Sequence, residues 1–143
     1  MKTLKLPRFD HQFLKKNGKV YIFDIIRKKY VNLTPEEWVR QHMVHYLINH
    51  CAYNPNFITV ERSLGKTGRA DVIIYNRNHQ LYMLIECKAA YQPLNTKGIF
   101  QIAKYNMNVK APFITITNGV NCLFFQKNEA TYTLLKDIPP FPL

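Results

Sequence analysis

The sequence predicts an α/β fold in which helices flank a mixed central sheet and further strands precede it at the N-terminus. Three observations support this prediction. The segment Leu81–Ala89 is apolar on both of its alternating faces as far as Glu86, which is typical of a central strand covered on both sides. Helical patterns occur both before and after this region. The second helical pattern lies between two predicted strands, which favours a crossover to a parallel neighbour.

The N-terminal segment Gly18–Leu33 is rich in Val, Tyr, Ile and Phe, and we expect it to be extended. A helix should begin directly after it, because Thr34 suits the N-cap, Pro35 the first turn and Glu37 the reciprocal position of a capping box. We expect this helix to run to about His50. Its inward-facing stripe at helical spacing consists of Val39, Met43, Tyr46 and Leu47.

The remaining elements are short strands and one further helix. This helix is predicted from about Thr96 to Asn108, and Pro112 lies beyond its end. Turn residues separate the strands at Gly65–Gly68, Asn76–Gln80 and Asn118-Gly119. The strands are predicted at Phe57–Leu64, Ala70–Tyr75, Leu81–Ala89, Phe113–Thr117 and Asn121–Gln126, with a short addition at Tyr132–Leu135.

The length of 143 residues fits one domain, with N-terminal strands at 1–33 and the core at 34–143. The net charge of +11 indicates a polyanionic partner, most simply nucleic acid. A basic protein without such a partner is equally compatible with this charge. Charge alone does not distinguish DNA from RNA, or binding from cutting.

Several classes of protein are disfavoured by the composition. No apolar run is long enough to span a membrane, and no secretory signal follows the N-terminal lysines, so we expect a cytoplasmic protein. The three cysteines, Cys51, Cys87 and Cys122, are widely spaced, which argues against zinc and against a disulfide framework. His42 and His45 lie on the first predicted helix, where we expect them to be solvated rather than metal-bound.

A candidate site lies where the second and third core strands meet. Lys88 follows Glu86 by two residues, so their side chains share one strand face, whereas Cys87 points the other way as a buried thiol. If the two strands form a hairpin, Asp71 converges with Glu86. Paired carboxylates suit Mg²⁺ or Mn²⁺, the backbone carbonyl of Cys87 could add a ligand, and the lysine could orient a water. A plain ion-pair cluster fits the same spacing.

Two segments, Arg69–Tyr75 and Leu84–Ala89, resemble the PD-(D/E)XK nuclease superfamily. Within it, the chain is most similar to the N-terminal nuclease-like domain of type I restriction enzyme R subunits. The similarity extends from about Thr34 to Pro142. Further matching segments are Thr34-Pro35-Glu36-Glu37, Val39-Arg40-Gln41, Ala111-Pro112, Thr117-Asn118-Gly119 and Ile138-Pro139-Pro140.

This resemblance implies a restriction-endonuclease-like αβββαβ core, a divalent metal ion and hydrolysis of phosphodiester bonds. It also implies that Asp71 and Glu86 are metal ligands and that Lys88 is the catalytic lysine. Ala70 replaces the proline that gives the superfamily its name, a departure that removes little of the chemistry.

Further site residues are predicted on both helices. Gln101 and Tyr105 share one helix face and match the QxxxY pattern of several related subfamilies. Gln101 could orient the metal shell or a phosphate, and Tyr105 could contact the DNA backbone, although helix packing would also explain the tyrosine. The superfamily often adds a glutamate from the first helix. We choose Glu36, expected to face inward, over Glu37, which the capping box already explains.

The loop between the first two core strands carries Lys66 and Arg69, which could contact DNA phosphates or form a solvated turn. It is not an ATP-binding P-loop, because Val60 stands where the first glycine would be required. We expect DNA as partner, and either a homodimer or association with a larger restriction or helicase subunit. The alternatives are a non-catalytic nucleic-acid-binding module, an RNA-directed nuclease, and an assembly subunit whose charge is incidental.

Overall fold

The chain forms two separate β-sheets and two α-helices in a computed structural model that describes residues 3–63 and 69–143. Side chains are described in this range except at positions 62, 63 and 69. A three-stranded antiparallel sheet has the order β1-β2-β3, and a six-stranded sheet has the order β4-β5-β6-β7-β8-β9. The elements are β1 (Phe13–Lys16), β2 (Lys19–Asp24), β3 (Lys29–Asn32), α1 (Pro35–Asn49), β4 (Ile58–Ser63), β5 (Arg69–Tyr75), β6 (Leu81–Cys87), α2 (Thr96–Val109), β7 (Phe113–Thr117), β8 (Cys122–Asn128) and β9 (Thr131–Leu135).

The six-stranded sheet is mixed, as predicted. β6 pairs with β7 in parallel across the α2 crossover, and the other neighbouring strands are antiparallel. Met83, Leu84 and Ile85 of β6 are fully buried, which confirms that this strand is central and covered on both faces. The residues Met83 and Ile85 belong to the core on the α1 side, and Leu84 belongs to the core on the α2 side, where it packs with Ile102.

The N-terminal region differs from the single extended segment that was predicted. It contains two hairpins, and the first strand, β1, was not predicted. The turn between β1 and β2 is Asn17-Gly18, with φ of 52° and 74°, a pair that tolerates left-handed backbone better than most residues. The turn between β2 and β3 is held by Asp24, whose Oδ1 accepts hydrogen bonds from the backbone N–H groups of Ile26 and Arg27.

Helix α1 begins as predicted. Thr34 is its N-cap and accepts a hydrogen bond from the backbone N–H of Glu37 at 3.0 Å, and Pro35 is the first helical residue. The expectation that His42 and His45 are solvated is wrong, because His42 is 5% exposed and His45 is half-buried against Phe9. The cause is the N-terminal segment, which lies across the outer side of α1. In the described part of the chain, no helix combines the length and apolarity needed to cross a membrane.

Candidate active site

The two predicted carboxylates occupy opposing positions on neighbouring strands. β5 and β6 are antiparallel and pair Val72 with Ile85, so Asp71 and Glu86 are the next opposing residues. Asp71 Oδ2 accepts a hydrogen bond from the backbone N–H of Cys87 at 2.8 Å. This bond ties the aspartate to the strand that carries Glu86.

Lys88 joins Glu86 just beyond the end of β6. Its Nζ lies 3.5 Å from Glu86 Oε1, and the two side chains are 31% and 32% exposed. The backbone N–H of Lys88 donates to the carbonyl oxygen of Thr117 at 2.8 Å, which extends the β6–β7 pairing by one residue. The lysine therefore projects from backbone that is held by the central sheet.

The electrostatic environment of Glu86 disfavours its charge. Burial raises the pKa of Glu86, and the negative charge of Asp71 raises it further, while Lys88 opposes both effects; the resulting pKa is about 7. Two like charges held together in a half-buried place repel each other. A cation placed between them would relieve this repulsion.

A buried ion network supports Asp71 from the α1 side. Arg40 Nη1 donates to Asp71 Oδ1 at 3.3 Å, and the other guanidinium nitrogens of Arg40 donate to the Glu37 carboxylate at 2.6 and 2.9 Å. Gln41 Nε2 donates to the same carboxylate at 2.9 Å. Burial would raise the pKa of Glu37, but the hydrogen bonds and charge of Arg40, with help from Gln41 and Arg27, lower it. Glu37 therefore stays charged and fixes Arg40 beside Asp71.

The N-terminal sheet completes this network through Arg27. Its Nη2 donates to Glu37 at 2.9 Å, its Nε to the fully buried Asp24 at 2.6 Å, and its Nη1 to Glu61 of β4 at 2.7 Å. One guanidinium thus connects β2, α1 and β4. The position of Arg40, and through it Asp71, consequently depends on the N-terminal strands.

The site opens onto two faces of the sheet. Glu86 and Lys88 line a groove of about 460 Å³ between β6 and α2, together with Gln101 and Tyr105. Lys88 and Gln101 also line an adjoining cavity of about 280 Å³ beside the loop before α2. Asp71 instead lines a cavity of about 320 Å³ on the α1 side. The Glu86–Lys88 pair and Asp71 are therefore neighbours that meet at the strand ends but face different cavities.

The expectation that Glu36 faces inward is wrong. Glu36 is exposed, whereas Glu37 is 4% exposed and carries the network described above. All residues from 37 to 44 are buried, so α1 has no single apolar stripe that could distinguish the two glutamates. Glu36 still borders the cavity that contains Asp71, and its role in the site stays a prediction.

The remaining predicted residues fall into three groups. Cys87 is 2% exposed within the α1-side core, as expected for a buried thiol. Gln101 is exposed and Tyr105 is partly buried along the groove. Lys66 lies outside the described residues, and so does the side chain of Arg69.

Sequence reasoning missed Arg27 and Arg40 as parts of the site. A local signal existed for Arg40, since it follows Glu37 by three residues and shares its helix face. Arg27 has a local partner in Asp24, but nothing local linked it to the site, because Glu37 lies ten residues away and Glu61 lies 34 residues away in the chain.

The side chains at the site supply two carboxylates for a cation. Within residues 3–63 and 69–143, no group of three or more His, Cys, Asp or Glu side chains could hold a metal ion. A cation bound by Asp71 and Glu86 would therefore need backbone carbonyl, water or substrate oxygens to complete its shell.

No curated protein matches the chain. Among solved structures, it is similar to the type IIG restriction endonuclease BpuSI, with 21% sequence identity and a TM-score of 0.44. The match covers 66% of this chain and 11% of that one, so the chain spans a small part of that enzyme's length.

A family comparison covers most of the chain. Residues 35–139 match the family described as "Type I restriction enzyme R protein N terminus (HSDR_N)". The matched region begins with α1, ends beyond β9 and includes Asp71, Glu86 and Lys88. The chain belongs to this family of type I restriction enzyme R protein N termini.

Proposed function

We propose that the chain is a nuclease that hydrolyses DNA phosphodiester bonds with the help of a bound divalent cation, Mg²⁺ or Mn²⁺. One observation carries the proposal: Asp71, Glu86 and Lys88 meet at the ends of β5 and β6, and Glu86 and Lys88 line a groove beside α2. Membership of a restriction-enzyme family supports DNA as the substrate.

The donor set suits a hard cation. Asp71 and Glu86 offer carboxylate oxygens, and the backbone carbonyl of Cys87, the residue that follows Glu86, is a further candidate. Each Asp71 oxygen already accepts one hydrogen bond, but a carboxylate has about four acceptor positions, so both oxygens retain capacity for a metal. When bound, the cation would polarise the phosphate and lower the pKa of a water molecule.

Lys88 provides the positive charge on the substrate side. Its ammonium group is held by Glu86 at 3.5 Å, where it can orient the attacking water and stabilise charge that develops on the phosphate. The water oxygen forms a bond to phosphorus and one ester P–O bond breaks, which leaves a phosphate monoester and an alcohol.

The groove beside α2 suits a polyanionic strand. Lys104 lines it, and Lys97 lines the adjoining cavity, so phosphates on either side of the reacting one would meet positive charge. Gln101 borders both spaces and can donate to or accept from a phosphate or a water. Tyr105 lies one helical turn further along the same face.

A nuclease assay tests the proposal directly. The purified chain is incubated with plasmid, linear duplex, single-stranded DNA and RNA in Mg²⁺, Mn²⁺ or EDTA. We expect cleavage of DNA that EDTA abolishes. Asp71→Asn and Lys88→Ala should each reduce the rate by about 100-fold or more, as when one transition-state contact is removed.

Lys136→Ala is the matched control, because Lys136 is an exposed lysine in the C-terminal segment. This variant should cleave DNA at the wild-type rate. Circular dichroism establishes that each variant is folded. Unchanged cleavage in folded Asp71→Asn or Lys88→Ala would remove the proposed assignment. Faster cleavage of RNA than of DNA would make RNA the substrate in place of DNA.

A second candidate is a DNA-binding module that has the fold without the catalysis. The observation in its favour is that Arg40 and the Cys87 N–H already satisfy Asp71 without a metal ion. This candidate predicts salt-sensitive DNA binding in EDTA and no cleavage in either metal.

Since a duplex has two strands, we further propose that the chain acts as a homodimer or with a larger restriction or helicase subunit. Light scattering with and without DNA would test this.

A further inference from the structure

The outward side of the N-terminal sheet combines aromatic rings with lysines. Strand alternation divides the sheet into two faces. On one face Ile22 is fully buried, and Phe13 contacts the ring of Trp38, so this face packs on α1. The opposite side, which we call the outer face, is formed by Leu14, Lys16, Lys19, Tyr21, Phe23 and Tyr30.

The register and the ring contacts place these residues together. Tyr21 pairs with Leu14, and Phe23 pairs with Tyr30. The rings of Phe23 and Tyr30 meet edge to face at 5.3 Å. Tyr21 and Phe23 are two residues apart on β2, so they point the same way about 7 Å apart.

These rings are accessible. Tyr30 is 39% exposed, Leu14 is 42% exposed, and Tyr21 and Phe23 are partly exposed. None of the three rings belongs to the two core clusters that the described residues form. The aromatic side chains therefore contribute little to the core, although aromatic groups gain most from being covered.

The charge around the outer face is one-sided. Residues 11–33 contain five lysines, Arg27 and a single acid, Asp24. Asp24 is fully buried and paired with Arg27, so the acid contributes no exposed negative charge, and the lysines that the register places on the outer face are Lys16 and Lys19. Lys16 and Lys19 pair with each other across the first hairpin and are both exposed. Two lysines in opposing positions repel each other, and this repulsion is unfavourable unless a polyanion lies beside them.

We propose that the outer face is a binding platform for single-stranded nucleic acid, separate from the groove beside α2. Bases would stack on the rings of Tyr21 and Tyr30, while Lys16 and Lys19 contact phosphates. Stacking on exposed aromatic rings beside positive charge is the general means of holding a single strand without reading its sequence. A duplex fits less well, because its bases are stacked internally and present no free faces to the rings.

Binding is measured by fluorescence anisotropy in EDTA, so the result does not depend on any nuclease activity. The probe is a labelled oligothymidine of about 15 nucleotides, a length within the usual range for such platforms. We expect binding to the wild type, and a Kd raised about five- to 100-fold in Tyr21→Ala and in Tyr30→Ala. Tyr30→Phe keeps the ring and should bind as the wild type does.

The lysines are tested by the dependence of affinity on salt. Each phosphate contact with a single strand contributes about 0.7 to the slope of log K against log salt. The double variant Lys16→Gln/Lys19→Gln should therefore lower that slope by about 1.4. Lys136→Gln is the control and should leave it unchanged. Both lysines are exposed, so this variant remains informative even if a tyrosine variant proves unstable.

Three results would overturn the proposal. In the first, folded tyrosine variants bind as tightly as the wild type, which leaves only general attraction between charges. In the second, duplex binds more tightly than the single strand and the variants weaken both equally. In the third, the variants change the mass of the protein in solution but not its affinity for the oligonucleotide, which would make the outer face a contact between copies.

Discussion

Replacing Arg40 with methionine tests whether the buried ion network supports the candidate site. Arg40 is 9% exposed and donates two hydrogen bonds to Glu37 and one to Asp71. Methionine has a similar length but no charge, so Glu37 would keep only Arg27 and Gln41 as partners in a place that is 4% exposed. Removing one partner from a buried pair is costly because the other charge stays buried.

We expect Arg40→Met to lower the free energy of unfolding by about 3 kcal/mol, near the lower end for buried pairs, since two donors remain on the glutamate. For a chain of this size that corresponds to a fall in Tm of about 6–12 °C. The measurement is urea denaturation followed by circular dichroism, supported by a thermal melt.

The double variant Glu37→Gln/Arg40→Met separates the network from simple loss of packing. Both charges are then gone, and the double variant should be more stable than the sum of the two single changes predicts, by about 1 kcal/mol or more. Arg27 retains Asp24 and Glu61 in every variant. A loss below about 1 kcal/mol in Arg40→Met, or strictly additive effects, would refute the role assigned to this network.

Two further predictions concern positions away from the site. Asn106→Ala should lower the free energy of unfolding by about 1–3 kcal/mol, because the fully buried Asn106 side chain forms hydrogen bonds with both the N–H and the carbonyl of Ala111 at the end of α2. Urea denaturation checks this, with Asn108→Ala, at an exposed position on the same helix, as the control. Equal losses in the two variants would contradict the prediction. Gly119→Ala should lower the free energy of unfolding by about 1 kcal/mol or more, because Gly119 has φ +83° and an added Cβ would lie 2.7 Å from Leu4 Cδ1. A thermal melt with the same Tm as the wild type would exclude this strain.

The central part of the fold was predictable because its signals are local. The apolar run of β6 indicates a strand buried on both faces, and Thr34-Pro35 marks the start of α1 through capping chemistry. The convergence of Asp71 and Glu86 follows from a hairpin between adjacent strands, which needs no distant information. These features depend on residues close together in the chain.

The errors arose where distant segments meet. The choice between Glu36 and Glu37 assumed that α1 has one inward face, but the N-terminal segment covers its other side and Arg27 supplies the charge that stabilises Glu37. The same covering buries His42. The hairpin between β1 and β2 was missed although Asn17-Gly18 is a strong hairpin signal, because the residues before this turn do not alternate clearly between polar and apolar.

The pH dependence of stability offers a test of the electrostatics at Glu86 that needs no substrate. Its pKa is about 7 in the folded chain against an ordinary value of 4.5, so between these values the folded state holds more protons than the unfolded state. Stability therefore falls as pH rises from 4.5 through 7. The full shift would correspond to at most about 3 kcal/mol, and water around the exposed third of the side chain reduces this.

Glu86→Gln removes the titrating group while keeping the shape of the side chain. In EDTA we expect the variant to be more stable than the wild type at pH 8 and to lose this advantage near pH 4.5. Because the charge of Asp71 adds to the effect of burial in raising the pKa of Glu86, Asp71→Asn should also flatten the pH profile. If the cation site exists, Mg²⁺ at pH 8 should raise the Tm of the wild type and leave that of Glu86→Gln unchanged. A difference between wild type and Glu86→Gln that stays constant from pH 4.5 to pH 8 would show that repulsion between the carboxylates does not govern this site, and the electrostatic reason for a cation there would be lost.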